Sequence, residues 1–241
     1  MKSVLVSFAT PKWYHSQNLL CESAKKHGVS GYIKYTDASR DWSFAKKYKD
    51  IYSETRGYGF WQWKPKIVLD AMSRLSDGDV VLYVDSGNII INSLQYIIDK
   101  CAEKDIVLFD NRDGNYEGKP HLNGTWTKRD CFVLMGCDSE EYYNAPQVDA
   151  SYQIFKKTPR VLEFLKEYDS YCSNENIISD LPNITKENLP QFKDHRHDQS
   201  ILSLMAVKHK LDLLPEPSEW GNHLKDRPYP QLFLHHRNTI K

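Results

Sequence analysis

The run Val80-Val81-Leu82-Tyr83-Val84 places five apolar side chains in succession and then breaks at Asp85-Ser86-Gly87. Alternating polarity marks a strand with one wet face; an unbroken apolar run marks one covered on both faces, the condition of a central strand in an α/β sheet. A chain with such a strand must supply helices above and below it. Asp85 then falls at a carboxyl edge of the sheet, where open α/β proteins bind ligands.

The surrounding pattern supplies those helices. Val4 to Phe8 reads as a first strand. The segment from Pro11 to about His27 reads as an amphipathic helix with Leu19, Leu20 and Ala24 on one face. After a break at Gly28 to Gly31, Tyr32 to Tyr35 reads as a second strand, and a helix starting near Asp41 carries Trp42, Phe44 and Ala45. Lys64 to Leu75 has helical spacing with Pro65 in its first turn, where the missing N–H costs nothing, and Asp77-Gly78 stops it. A helix over Ser93 to Cys101 and a strand over Ile106 to Phe109 follow. Beyond Asp110 the rhythm changes. Helical stretches near Lys128 to Met135, Pro159 to Tyr171 and Gln199 to Lys208 are separated by polar loops, the longest being Ser173 to Asp194. The expectation is one α/β domain over 1–241 with a mostly parallel central sheet flanked by helices. Residues 1–110 form its ligand-binding half, and 111–241 form a half shaped to receive a second substrate.

Composition removes several function classes. The 32 basic side chains balance the 32 acidic ones, which argues against a nucleic-acid partner bound through a broad basic face. No apolar run approaches the roughly 20 residues of a membrane span, and Met1 to Phe8 lacks the flanks of a signal peptide. A cytoplasmic protein without a transmembrane segment is expected, with room for peripheral membrane contact. Cys21, Cys101, Cys131, Cys137 and Cys172 have no CxxC spacing and read as plain buried thiols; the sequons at Asn123 and Asn183 read as chance matches.

Three blocks carry candidate chemistry. A carboxylate at the position of Asp85 can hold a divalent cation on a diphosphate. Arg56-Gly57-Tyr58-Gly59-Phe60-Trp61-Gln62-Trp63-Lys64-Pro65-Lys66 combines aromatics, glycines and cations just before the buried strand: ring faces bound a flat pocket, and Arg56 and Lys64 can pair with phosphate oxygens. Trp61 and Trp63 also fit as core residues. In His195-Arg196-His197-Asp198-Gln199-Ser200-Ile201-Leu202, Asp198 is well typed as a helix N-cap.

Val81 to Gly87 resembles the hydrophobic strand and DxD signature of GT-A glycosyltransferases, with Gly87 in place of the second Asp. Arg56 to Lys66 resembles the tryptophan-rich segment of bacterial and viral surface-polysaccharide glycosyltransferases. Asp198-Gln199 with Leu202 resembles the Asp-Gln-x-x-Leu segment of the glycogenin-like retaining enzymes. The resemblance implies a Rossmann-like GT-A fold, a nucleotide-sugar donor, UDP-hexose above others, and a glycan or glycolipid acceptor in polysaccharide biosynthesis. It assigns Ser7, Phe8, Ala9 and Thr10 to the base and ribose, and Arg56, Trp61, Lys64, Asp85, Ser86 and Gly87 to the rest of the donor. Asp198 and Gln199 take the catalytic place beside the transferred sugar, with retention of configuration. Mn²⁺ or Mg²⁺ is implied, held by Asp85 and a late histidine, His235 or His236 of Phe233-Leu234-His235-His236-Arg237. Asp130, Asp149 and Gln153 are the acceptor-side candidates, with Gln147 beside them. For Asp130 a solvated helix start is the competing account. If the reaction instead inverts, Asp198, Asp149 or Asp130 would act as general base. Two other classes remain: a sugar nucleotidyltransferase, which should carry a glycine- and arginine-rich loop after the first strand, and a non-catalytic carbohydrate-binding module.

Overall fold

A computed structural model describes residues 1–37, 56–111 and 120–236. The expected helix from Asp41, and Arg237 beside the late histidines, lie outside the described residues. Five strands form the main sheet in the order β2-β1-β3-β6-β5, where β1 is Ser3–Ala9, β2 Gly31–Thr36, β3 Val80–Val84, β5 Ile106–Val107 and β6 Tyr152–Lys156. Strand β1 pairs in parallel with both β2 and β3. The apolar run behaves as its composition demands: every residue of β3 is buried, with Val81 and Tyr83 in one hydrophobic cluster and Val80, Leu82 and Val84 in the other.

The helices divide between those two faces. On the Tyr83 face lie α2 (Lys64–Ser73), α7 (Pro159–Cys172) and α9 (Asp198–Lys208). On the other lie α1 (Tyr14–Lys26), after a short 3-10 turn at Pro11–Trp13, and α3 (Gln95–Lys104). Thr158 caps α7 by accepting a bond from the Val161 N–H, and Pro159 takes the first helical position, where its lost donor is harmless. Four further helices are short, α4 (Asn123–Trp126), α5 (Arg129–Leu134), α6 (Glu140–Tyr143) and α8 (Glu175–Ile178), of which α5, α6 and α8 add Cys131, Phe132, Tyr143, Ile177 and Ile178 to the cluster on the Tyr83 face.

The sheet is mixed rather than mostly parallel. Strand β6 runs antiparallel between β3 and β5, with Tyr83 opposite Gln153 and Val107 opposite Ile154. Residues of the expected second half are therefore inserted into the sheet of the first. The strand from Ile106 is also shorter than expected, with Phe109 continuing only as a bridge to Leu214. A second, two-stranded sheet joins β4 (Asn88–Ile90) to β7 (Phe233–His235), antiparallel, with Asn88 opposite His235. This pairing carries the late histidines to the turn that follows β3. All five cysteines are free and buried.

Candidate active site

Beyond the carboxyl ends of β1 and β3 opens a cleft of about 480 Å³, lined by Phe8 to Thr10, Trp13, Gly57, Tyr58, Trp61, Trp63, Tyr83, Asp85 to Asn88, Ser151 and His235. Aromatic rings form one wall. Phe8 packs against Trp63 and Tyr58 at centroid distances of 4.2 and 5.6 Å.

That wall rests on an unusual backbone. From Gly57 through Trp61 every residue has positive φ, including Tyr58 (54°), Phe60 (56°) and Trp61 (58°). Left-handed backbone costs an L-residue roughly 1–2 kcal/mol, so Tyr58, Phe60 and Trp61 persist in it only where packing dictates. Here Phe60 N–H bonds back to Arg56 O at 2.7 Å, and Trp63 Nε1 donates to Gly57 O at 3.0 Å. The Trp61 ring lies against the Gly57 backbone so closely that a Cβ on Gly57 would fall 2.1 Å from it. Phe60 and Trp61 in turn lie beside the ring of His197, at 4.7 and 5.7 Å, itself at φ 54°.

Asp85 stands at the cleft floor with a third of its side chain exposed. Its Oδ1 accepts from the Tyr83 hydroxyl at 2.5 Å and lies 3.4 Å from Lys64 Nζ. Lys64 does not present its ammonium to the cleft. Its side chain is 3% exposed, and its three protons meet Asp198 Oδ2 at 2.9 Å, Ala150 O at 3.1 Å and Asp85 Oδ1. The ammonium also lies 5.1 Å from the centre of the Tyr83 ring. Lys64, expected to pair with phosphate, is here a buried counter-ion that ties the start of α2, the end of β3 and the start of α9 together.

Burial pushes the Asp198 carboxyl up to about 6, against the pull of Lys64. Burial works to lower the Lys64 ammonium, but Asp198 and Asp85 together hold it above its ordinary value. At neutral pH the pair is charged. Asp198 does not cap α9; His197 holds that position, and Asp198 is the first helical residue, turned to Lys64 and bonded by the Tyr168 hydroxyl. Its carboxylate is buried and is not among the groups that line the cleft. Gln199 likewise faces inward, donating to Gln147 Oε1 at 3.0 Å.

The remaining candidates separate in the same way. Phe8, Ala9, Thr10, Trp61, Ser86 and Gly87 line the cleft, while Ser7 is buried beneath it. Gly87 contributes backbone, its carbonyl accepting from His236 N–H at 3.0 Å. Arg56 makes a two-pronged pair with Asp194 at 3.2 Å on the surface and is not among the cleft-lining residues. Asp130, an acceptor-side candidate, is buried, and its carboxylate accepts from Ile184 N, Thr185 N and Thr185 Oγ1, anchoring the polar loop. Gln153 is fully buried on β6 with its Nε2 on Ala150 O. Asp149 is buried and accepts from Ser151 N at 2.8 Å; burial raises both it and the neighbouring Glu216, on which the Asp149 charge adds a further push.

Of the two late histidines, His235 enters the cleft and His236 is not among its lining residues. The His235 ring has neighbours that the sequence did not announce. Nδ1 lies 3.1 Å from Glu219 Oε1 and 3.0 Å from Trp220 Nε1, and Nε2 lies 3.3 Å from the Tyr152 hydroxyl, which is 2.6 Å from Asn88 Oδ1. No group of three or more His, Cys, Asp or Glu side chains arranged to hold a metal occurs among the described residues. No helix among them is long and apolar enough to cross a membrane. Neither a protein-family model nor a curated protein matches the chain.

Proposed function

We propose that the chain is a GT-A-type glycosyltransferase that takes a sugar from a nucleotide diphosphate donor, UDP-hexose in the first instance, and passes it to a hydroxyl of a glycan or glycolipid. The observation that carries this reading is convergence. Thr10 after β1, Gly57, Tyr58 and Trp61 of the aromatic turn, Asp85 after β3 and His235 on β7 all line one cleft. The cleft lies within the usual size range for small-molecule sites and occupies the ligand-binding edge of an open α/β sheet.

In this reading Tyr58 and Trp61 bound the flat base, and Asp85 meets the diphosphate end. Lys64 holds Asp85 from behind, so that a single orientation of the carboxylate reaches the cleft. Asp198 acts through Lys64 rather than on the sugar. Mn²⁺ or Mg²⁺ would be held by Asp85 and His235, a partly exposed carboxylate and an imidazole whose donor types suit such ions. Gly87 has no side-chain oxygen to add, so the other ligands come from the diphosphate and water. The ion, when bound, supplies positive charge against the leaving diphosphate.

Thermal unfolding with UDP, GDP, CMP and TDP, each with and without Mn²⁺, tests the reading. At 100 times Kd a ligand adds about 2.7 kcal/mol, a rise of roughly 5–10 °C for a chain of this size. UDP with Mn²⁺ should give the largest rise. A flat response to every nucleotide would remove the donor site, and stabilisation by glycans alone would favour a carbohydrate-binding module.

A further inference from the structure

The contacts of His235 are contradictory, and the contradiction can be resolved only by choosing a tautomer. An indole N–H can only donate, so Trp220 Nε1 at 3.0 Å needs a lone pair on Nδ1. A carboxylate can only accept, so Glu219 Oε1 at 3.1 Å needs a proton on the same Nδ1. A neutral imidazole satisfies one of them at a time. With the proton on Nε2, Nδ1 accepts from Trp220 and Nε2 donates to the Tyr152 oxygen, whose own proton goes to Asn88 Oδ1. With the proton on Nδ1, Glu219 is served and the Nε2 lone pair can accept, from the Tyr152 hydroxyl 3.3 Å away or from a cation that displaces that contact. Glu219 also accepts from the His235 backbone N–H, at 3.3 and 3.2 Å, so it stays beside the ring in either state. Trp220 is 41% exposed, and water can accept its indole N–H bond when Nδ1 carries a proton.

We infer that Glu219 and Trp220 set the His235 tautomer in opposite senses: Trp220 keeps Nε2 protonated and closed to a cation, and Glu219 draws the proton to Nδ1 and opens Nε2 as a ligand. Glu219 is thus a positioning residue and Trp220 its antagonist. The inference rests on the proposed metal-assisted reaction at this cleft. Outer partners of a ligating imidazole commonly change metal affinity by roughly 10- to 100-fold.

Mn²⁺ binding to the full chain with saturating UDP, followed by the electron paramagnetic resonance of free Mn²⁺ at pH 8, reads the effect without turnover. Glu219→Gln should weaken binding by roughly tenfold or more. Trp220→Phe, which removes the competing donor and keeps the ring bulk, should tighten it by about threefold to tenfold, the value of one ordinary hydrogen bond. Opposite signs from adjacent residues distinguish tautomer control from loss of structure, which would weaken both. Two equal or absent changes overturn the inference while leaving the donor site standing; absence of Mn²⁺ binding in the unaltered chain overturns both. Should either variant fail to fold, ¹⁵N-imidazole spectra of the unaltered chain decide. His235 should be Nε2-protonated without a cation and Nδ1-protonated with UDP and Mg²⁺, and an Nδ1-protonated ring at rest refutes the proposal.

Discussion

Replacing Lys64 by Met removes the charge that two carboxylates share. The methionine fills much of the same volume, so the loss is electrostatic rather than a cavity. Asp198 is 4% exposed and Lys64 3%, and their contact is 2.9 Å. Breaking a buried pair by deleting one partner costs about 3–5 kcal/mol, because the other charge is left without compensation. For a chain of this length that is a fall of roughly 6–20 °C in melting temperature. The sign with pH is fixed by Asp198. Its folded pKa, about 6 with Lys64 present, is above the unfolded value, so its ionisation opposes folding as pH rises through that window. Without Lys64 the window moves higher. The Lys64→Met chain should therefore recover stability on acidification, and its deficit against the parent should be smaller at pH 5 than at pH 8. Adding Asp198→Asn should restore most of the loss at pH 8. Calorimetry or urea unfolding of the four chains in the cycle measures this directly. A deficit below about 1 kcal/mol, or one that stays constant from pH 8 to 5, would refute the clamp.

Asp85→Asn keeps the shape at the cleft floor and removes its charge; metal-dependent donor hydrolysis, followed as UDP release, should fall at least roughly 100-fold with the fold retained by circular dichroism. Gly57→Ala adds the strain of a left-handed residue to a clash 2.1 Å from the Trp61 ring and should cost at least about 2 kcal/mol in urea unfolding. Gly78→Ala, at φ +86° with open space around it, should cost only about 1 kcal/mol. Tyr58→Ala should weaken UDP binding by about 1–3 kcal/mol in titration calorimetry, the range of one ring stacked on one base; unchanged affinity would move the base elsewhere.

Much of the framework was legible because it is written in local periodicity. The β3 run, the Pro65 helix start and the helix after Pro159 each follow from a single stretch of sequence. Strand β6 was not, since Tyr152–Lys156 is five residues without a turn signal and pairs only with strands far away in the chain. The site was legible in its residue types and not in their exposures. Lys64 and Asp198 were readable as candidates, but whether a lysine reaches solvent or a carboxylate is decided by the burial of the starts of α2 and α9 where the two side chains meet. The left-handed turn was half visible: Gly57 and Gly59 announce positive φ, whereas Tyr58, Phe60 and Trp61 adopt it against their own preference. Glu219, Trp220 and Tyr152 gave no signal, because their importance comes only from meeting His235.

The pairing of β4 with β7 has a consequence for synthesis on the ribosome. Asn88 and Asp85 are made early and must wait for Phe233 to His235 before the cleft has its far edge. Contacts so distant along the chain form late and slowly. A nascent polypeptide halted before Phe233 would carry the aromatic wall and the floor carboxylate without the imidazole of His235, so the cleft gains its full lining only once β7 is in place.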